Sequence, residues 1–156
     1  MRVFVQQLAD ELATEAMGRQ LSLLLNGRGI VYLCGELGAG KTTLSRGILR
    51  GMGYTGAVKS PTFTLVEPYE MGERAAYHFD LYRLEDPEEL EYLGIDEYLE
   101  SGHLCLLEWP EKGVGHIPPS DLMIELGVLA EGRSLVVSAN SAFGEQICRG
   151  LLESVQ

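Results

Sequence analysis

Glycines, a lysine and two threonines lie close together between positions 35 and 43, where the sequence is Gly-Glu-Leu-Gly-Ala-Gly-Lys-Thr-Thr. The first eight residues fit the pattern Gly-x-x-x-x-Gly-Lys-[Ser/Thr] of phosphate-binding loops. Glycines let the backbone wrap closely around phosphate oxygens and point successive N–H groups at them. We call residues 35–43 the glycine-rich loop and expect it to bind a nucleoside triphosphate.

The pattern predicts roles for individual residues of this loop. Lys41 should contact the β- and γ-phosphates as a catalytic residue, and as a loop lysine it is expected at the surface. The Thr42 hydroxyl should ligate Mg²⁺. The residues expected to contact the nucleotide are Glu36, Leu37, Gly38, Ala39, Gly40, Lys41, Thr42 and Thr43. The alternative is a glycine-rich turn with a solvated lysine.

A carboxylate ends the apolar segment His103–Trp109, at Glu108. This is the form of a Walker B strand, which lies beside the strand that leads into the phosphate-binding loop and ends in an acid near Mg²⁺. Glutamate replaces the commoner aspartate, and it can ligate the metal directly, act through a water or orient a water. An acid at a strand end can also simply be solvated.

A second acid, Asp80, lies in the segment His78-Phe79-Asp80-Leu81-Tyr82-Arg83. Strand alternation puts His78, Asp80 and Tyr82 on one face. From the pattern alone Asp80 is either functional or part of a polar row exposed to water. Between Gly51 and Gly132 the arginines are Arg74 and Arg83. Without an arginine finger in the same chain, hydrolysis should be slow and require activation by a partner.

The elements around the loop are predicted from apolar spacing. Residues 29–34 form a short apolar run typical of a strand buried on both faces. After the loop, Leu44, Ile48 and Met52 recur at helical spacing until Gly53. Upstream, helical spacing from Gln6 to Leu25 predicts one amphipathic helix.

The remaining elements complete an α/β pattern. Strands at 59–67 and 76–82 should form a hairpin around the turn at 70–73, and strands at 122–128 and 134–139 should form another. Asp86-Pro87 is typical of a helix start, and further helices are expected at 95–99 and around Phe143, Ile147 and Leu151. We predict one phosphate-loop NTPase-like domain over residues 1–156, with a mixed, largely parallel central sheet flanked by helices and antiparallel hairpin strands.

The net charge of −11 is distributed unevenly. Residues 1–60 carry seven basic and four acidic side chains, whereas residues 61–111 carry two and fourteen. The acidic segment 85–100 is either a solvated helical face or a docking surface. An acidic surface repels a nucleic-acid backbone, so a role in nucleic-acid metabolism should run through a protein partner.

The chain has no apolar stretch of about 20 residues and no signal-peptide pattern, so we expect a cytoplasmic protein with no membrane association. Its cysteines, Cys34, Cys105 and Cys148, have no C-x-x-C spacing and are expected to be buried thiols rather than a disulfide or metal site.

Taken together, the motifs resemble one family, the bacterial TsaE (YjeE) ATPases required for threonylcarbamoyladenosine formation on transfer RNA. The resemblance rests on residues 35–43, on Ser-Pro-Thr-Phe-Thr-Leu-Val-Glu at 60–67, on His-Phe-Asp-Leu-Tyr-Arg-Leu at 78–84 and on Leu-Glu-Trp-Pro-Glu at 107–111. It covers roughly residues 30–111, and the set of motifs rather than any single one makes it specific.

The resemblance implies ATP and Mg²⁺ at the loop, with Thr42 and Glu108 at the metal. It implies functional importance for Asp80, and for Trp109 at the nucleotide. It also implies that Ser60-Pro61-Thr62 is a switch-like element near the γ-phosphate. The implied partner is the TsaB–TsaD protein pair, with tRNA contacted indirectly through that complex.

Two other functions use the same loop. A small-molecule kinase would need an acceptor pocket and a mobile lid that carries arginines, and neither is evident in the sequence. A nucleotide-gated binding module would use ATP only to fix the switch segment for a partner, without an essential hydrolysis step.

Overall fold

Strands from both ends of the chain meet in one sheet. The computed structural model describes residues 2–61 and 64–155, and within them the sheet has seven strands in the order β1-β7-β6-β2-β5-β4-β3. The strands are β1 Val3–Leu8, β2 Ile30–Cys34, β3 Val66–Met71, β4 Arg74–Asp80, β5 Leu104–Glu108, β6 Leu122–Val128 and β7 Arg133–Ala139. The helices are α1 Glu11–Leu25, α2 Lys41–Met52, α3 Glu89–Leu93, α4 Ile95–Leu99 and α5 Ala142–Ser154. No helix in this part of the chain is long and apolar enough to cross a membrane.

The middle of the sheet is parallel and its edges are antiparallel. Strands β4, β5, β2 and β6 run parallel to one another, whereas β3–β4, β6–β7 and β1–β7 are antiparallel pairs. All five residues of β5 are buried, as expected for a parallel strand covered on both faces. The α/β class, the mixed sheet and both predicted hairpins are therefore confirmed.

Each face of the sheet packs against its own helices. Leu104 and Leu106 of β5 join a core with α1, α2 and α5, and Cys105 and Leu107 join a core with α3 and α4. This division follows from the alternation of side chains along a strand. The three cysteines are free thiols; Cys105 and Cys148 are buried as predicted, whereas Cys34 is only partly buried. Burial raises the pKa of Cys105 to about 12, so this thiol stays protonated at neutral pH.

The strand, loop and helix at the predicted phosphate site form as expected. Strand β2 ends at Cys34, and α2 runs from Lys41 to Met52, where Gly53 in the left-handed conformation ends it. No side chain in the described part of the chain caps the N-terminus of α2. The N–H groups of its first turn are therefore left to bind an anion.

The predicted helix from Gln6 is wrong in its first part. Residues 3–8 form strand β1, in which Phe4 and Leu8 are buried and Val5 is exposed. The helix begins only after Asp10, whose side chain accepts a hydrogen bond from the Ala13 N–H. Hydrogen bonds between β1 and β7 favour the strand over the helical spacing.

Two other predicted boundaries are shifted. The strand expected at 59–67 begins at Val66, because Leu65 has a φ of 63° and a left-handed residue breaks the extended chain. Its hairpin partner ends at Asp80 rather than Tyr82. Strand β3 tolerates Pro68 because it is an edge strand, which among the described residues pairs only with β4. Thr62 and Phe63 lie outside the described residues.

The helix start predicted at Asp86 is displaced by two residues. The Asp86 side chain accepts a hydrogen bond from the Glu88 N–H, and its carbonyl accepts one from the Glu89 N–H. Helix α3 then begins at Glu89. The residues predicted to start the helix therefore form a capped turn in front of it.

Helices α1 and α2 pack so closely that they touch through glycines, and this contact generates a prediction. A Cβ added at Gly47 of α2 would collide with the backbone carbonyl of Glu15 in α1. We expect Gly47→Ala to lower the free energy of unfolding by about 1–3 kcal/mol, measured by urea denaturation, because the two backbones must separate.

The matched control is Gly150→Ala in α5. There the added Cβ would meet only the flexible end of the Leu24 side chain. This substitution should change stability by less than about 1 kcal/mol. Equal effects of the two substitutions would contradict the close backbone packing of α1 on α2.

Candidate functional site

A cavity of about 680 Å³ opens at the carboxyl ends of the parallel strands, where ligands bind in open α/β sheets. Its lining residues come from the glycine-rich loop, the segment before β3, the ends of β4 and β5 and the residues after them, and the start of α3. They are Leu37, Gly38, Gly40, Lys41, Thr42, Thr43, Ser60, Pro61, Leu65, Asp80, Tyr82, Arg83, Glu89, Glu108 and Trp109.

Most of the predicted nucleotide-contacting residues line this cavity. Glu36 instead lines a smaller adjoining cavity of about 250 Å³, which Lys41 and Trp109 also line. Ala39 is fully buried and packs in the core beneath the loop, so its side chain does not line the cavity. Thr62, predicted as part of the switch-like element, lies outside the described residues.

The loop conformation requires glycine at two positions. Gly38 and Gly40 have φ values of 83° and 106°, a region that side-chain-bearing residues rarely adopt. The backbone of the loop can therefore turn its N–H groups toward the cavity.

Lys41 is buried rather than exposed, so the expectation of a surface lysine is wrong. Its Nζ donates a hydrogen bond of 2.7 Å to the Gly35 carbonyl and lies 3.6 Å from Glu108 Oε1. It also lies 4.6 Å from the centre of the Trp109 ring, a cation–π distance. A buried ammonium group is stable only with such partners.

Glu108 lies at the end of β5 and is 4% exposed. Its Oε2 is 2.5 Å from Nε2 of His78, a fully buried residue of the neighbouring strand β4. Burial raises the pKa of Glu108, but the hydrogen bond with His78 and the charge of Lys41 outweigh it, so the pKa lies below its usual value. Glu108 is therefore ionised at neutral pH.

His78 was not among the predicted site residues. Its alternation with Asp80 on β4 was visible in the sequence, but an exposed polar row was one of the interpretations, and for His78 it is wrong. The pairing of β4 beside β5 brings His78 to Glu108. Strand order could not be read from the spacing.

Asp80 is half-buried at the end of β4 and pairs in register with Glu108 of β5. Its Oδ1 accepts a hydrogen bond from the Tyr82 N–H. Burial raises the pKa of Asp80, and the nearby Glu108 charge raises it further. Two carboxylates thus face the cavity with pKa values moved in opposite directions, an arrangement common at catalytic sites.

The predicted switch-like segment touches the loop directly. The hydroxyls of Thr42 and Ser60 are 3.0 Å apart and share a hydrogen bond, and both Ser60 and Pro61 line the cavity. The hydroxyl predicted to ligate Mg²⁺ is therefore coupled to this segment.

Trp109 follows Glu108 in a left-handed conformation, with φ of 57°. A bulky residue in this region is strained, and such strain concentrates at functional sites. The ring packs against Lys41 and against Tyr82, whose ring centre is 5.0 Å away. The turn therefore aims the indole into the cavity.

Three arginines differ in their position relative to this site. Arg83 lines the cavity, whereas Arg74 lies at the other end of β4, against Gly27. Arg133, beyond the stretch considered in the sequence, donates a hydrogen bond of 3.1 Å to the Gly38 carbonyl. Arg83, one of the two arginines noted between Gly51 and Gly132, therefore lines the cavity, and Arg133 contacts the glycine-rich loop.

The donor set around the cavity suits magnesium better than a transition metal. In the described part of the chain, no group of three or more His, Cys, Asp or Glu side chains is arranged to hold a metal ion. Magnesium is usually bound by one or two protein oxygens together with substrate phosphates and waters. The Thr42 hydroxyl and the Glu108 carboxylate fit that mode.

Comparisons with known proteins match both the sequence and the fold of this chain. The model of the family described as threonylcarbamoyl adenosine biosynthesis protein TsaE matches residues 8–135. The tRNA threonylcarbamoyladenosine biosynthesis protein TsaE of Haemophilus influenzae is 43% identical over 152 residues, which cover 94% of this chain and 96% of that protein. The protein of the same name from Bacillus subtilis is 35% identical over 139 residues, covering 88% and 87%. The crystal structure of Bacillus subtilis YdiB matches with a TM-score of 0.84 and 27% identity, covering 99% of this chain and 97% of that one.

The raised pKa of Asp80 generates a stability prediction. A carboxyl group with a raised pKa in the folded state stabilises the fold below its unfolded pKa, and this contribution is lost as the pH rises through the folded value. At pH 7 the charged form is therefore buried at a cost. Asp80→Asn should raise the melting temperature at pH 7, because the amide oxygen can still accept the Tyr82 N–H, and should give no such gain at pH 3.

The control is Asp86→Asn, since Asp86 is an exposed aspartate that also accepts one backbone N–H. Thermal unfolding of both variants at the two pH values tests the prediction. A lower melting temperature for Asp80→Asn at pH 7 would show that its carboxylate stabilises the fold.

Proposed function

Because the chain belongs to the TsaE family of threonylcarbamoyl adenosine biosynthesis proteins, we propose that it binds Mg²⁺-ATP in the 680 Å³ cavity and hydrolyses it in support of that tRNA modification, together with the TsaB–TsaD pair. The observation that carries this proposal is the meeting of Lys41 and Glu108, 3.6 Å apart, at the ends of adjacent structural elements around the glycine-rich loop. A loop lysine and a strand-end acid at one point are the central parts of a phosphate-loop hydrolase.

Binding begins with the backbone of the loop and the uncapped N-terminus of α2, which attract phosphate oxygens. Lys41 then exchanges its bond to the Gly35 carbonyl for the β- and γ-phosphates. The phosphate oxygens then take the place of Glu108 and the Gly35 carbonyl as partners of the Lys41 ammonium group. The lysine therefore remains paired throughout.

Thr42 and Glu108 are the residues that would hold Mg²⁺. When bound, the ion neutralises charge on the phosphate oxygens during phosphoryl transfer. Thr42 shares its hydrogen bond with Ser60, so a change at Thr42 on nucleotide binding is passed to the Ser60-Pro61-Thr62 segment. This contact supports the switch-like role of that segment.

We assign Asp80 the task of orienting the attacking water. It lies beside Glu108, faces the cavity, and has a raised pKa that suits a hydrogen-bond acceptor able to take a proton. Trp109 is assigned to the nucleotide because it lines both adjoining cavities.

The acidic segment 85–100 is the proposed docking face for the protein partners. Its eight carboxylates are all exposed, and Tyr92 among them is 89% exposed. Glu89 borders the cavity, so a partner on this face would be next to the nucleotide. The acidity of residues 61–111 supports an indirect contact with tRNA.

The hydrolysis proposal predicts the effect of Glu108→Gln. This substitution keeps the shape and removes the charge, so Mg²⁺-dependent phosphate release should fall about 100-fold while nucleotide affinity, followed by Trp109 fluorescence, stays within a few-fold. Glu125→Gln, an exposed acid on β6, is the control and should behave as wild type. Unchanged hydrolysis in Glu108→Gln would remove Glu108 from the reaction.

The docking proposal predicts that charge reversal at Glu88, Glu91 and Glu97 lowers stimulation by TsaB–TsaD about 10-fold or more, because a charged docking face loses its attraction. Basal hydrolysis should be unaffected. The measurement is steady-state phosphate release while the partners are titrated in.

The control variant reverses Glu70, Glu73 and Glu153, which are exposed away from the cavity, and so changes the net charge equally. Its stimulation should match wild type. Equal loss in both variants would indicate a general charge effect, and full stimulation of the first variant would move the docking face elsewhere.

A further inference from the structure

Both oxygens of the Glu108 carboxylate are engaged, each with a different partner. Oε1 lies 3.6 Å from Nζ of Lys41, and Oε2 lies 2.5 Å from Nε2 of His78. The Lys41 partner belongs to the glycine-rich loop. The His78 partner belongs to β4, which lies between β5 and β3 in the sheet, and it has no exposed surface. One contact can therefore change with the nucleotide while the other stays fixed.

The hydrogen bond with Glu108 shows which nitrogen of the His78 ring is the donor. An ionised carboxylate can only accept, so Nε2 must carry the hydrogen. Nδ1 is buried and has no hydrogen-bond partner among the described residues. His78 thus donates a hydrogen bond from Nε2 to Glu108.

Core packing alone does not explain a histidine at position 78. An apolar side chain at position 78 would pack without leaving a buried nitrogen unpaired, and unpaired buried polar atoms in native proteins call for an explanation. The hydrogen bond between His78 and Glu108 supplies that explanation. Outer partners of this kind orient ligating carboxylates.

We infer that His78 is a positioning residue, which holds Glu108 so that Oε1 faces the Lys41 and Mg²⁺-ATP side of the carboxylate. The inference rests on the proposed function, because it gives Glu108 a task toward that ligand. When Lys41 turns to the phosphates, its contact with Glu108 weakens, and the His78 hydrogen bond is the one that still fixes the carboxylate.

Two substitutions test this. His78→Leu has a similar volume and no donor, whereas His78→Gln can donate from its amide toward Oε2. Two quantities are measured: phosphate release against ATP and Mg²⁺, and Mg²⁺ affinity from Trp109 fluorescence with a non-hydrolysable ATP analogue. His78→Leu should lower kcat and weaken Mg²⁺ binding, each by about 10-fold or more, with KM for ATP nearly unchanged at saturating Mg²⁺. His78→Gln should recover most of both.

The matched control is Phe79→Leu. Phe79 is the next residue of β4 and is also fully buried, but it packs with Tyr98 on the opposite side of the sheet. This variant should lose stability and keep wild-type Mg²⁺ affinity and kcat. Parallel losses in His78→Leu and Phe79→Leu would overturn the inference, because a general packing defect would then account for both.

The double variant His78→Leu with Glu108→Gln tests the route of action. If His78 acts through Glu108, adding His78→Leu to Glu108→Gln lowers kcat little further. An additive loss would overturn the inference. Should His78→Leu not fold, ¹⁵N NMR of the wild-type imidazole decides: Nε2 must carry a hydrogen, and an Nε2 without one would contradict the inference.

The experiments distinguish failure of the proposed function from failure of the role assigned to His78. If the wild-type protein shows no Mg²⁺-dependent hydrolysis with its partners present, the proposed function fails. If the wild type hydrolyses ATP and His78→Leu matches it in kcat and Mg²⁺ affinity, only the role of His78 fails.

Discussion

The need to compensate one buried carboxylate governs the arrangement of the site. Glu108 is ionised at 4% exposure, which is tolerable only because Lys41 and His78 contact its two oxygens. Those contacts require the loop helix α2 and the strand β4 to flank the end of β5. The parallel order β2-β5-β4 provides that placement. The close packing of α1 on α2 holds the helix that begins at Lys41.

Much of this could be predicted from the sequence, because the signals were local. The glycine-rich loop, its strand and its helix follow from residue types at fixed spacing, and Thr42 and Glu108 line the cavity. Asp80 and Trp109 line it too, but the pattern left Asp80 open and only the family resemblance singled out Trp109. Local signals failed where long-range pairing decided the outcome. Residues 6–8 were predicted to begin a helix, yet they belong to strand β1, because β1 forms hydrogen bonds with the neighbouring strand β7.

The same limitation hid the most informative contacts. His78 and Glu108 are 30 residues apart and meet through strand order, and Arg133 is 95 residues from the Gly38 carbonyl that it contacts. Neither contact can be recognised from the spacing of residues in the sequence. The burial of Lys41 was missed for a related reason, since a loop position does not reveal that Glu108 and Trp109 close over it.

Pro68 in the edge strand β3 bears on how other proteins can approach. A proline in an edge strand removes a donor from the exposed row of backbone groups, and Glu67 and Glu70 add charge to the same strand. Such a strand resists both self-association by strand pairing and the addition of a foreign strand. An assembly partner on this side of the sheet must therefore recognise side chains and surface shape, so that contact with it leaves the hydrogen bonds of the central sheet intact.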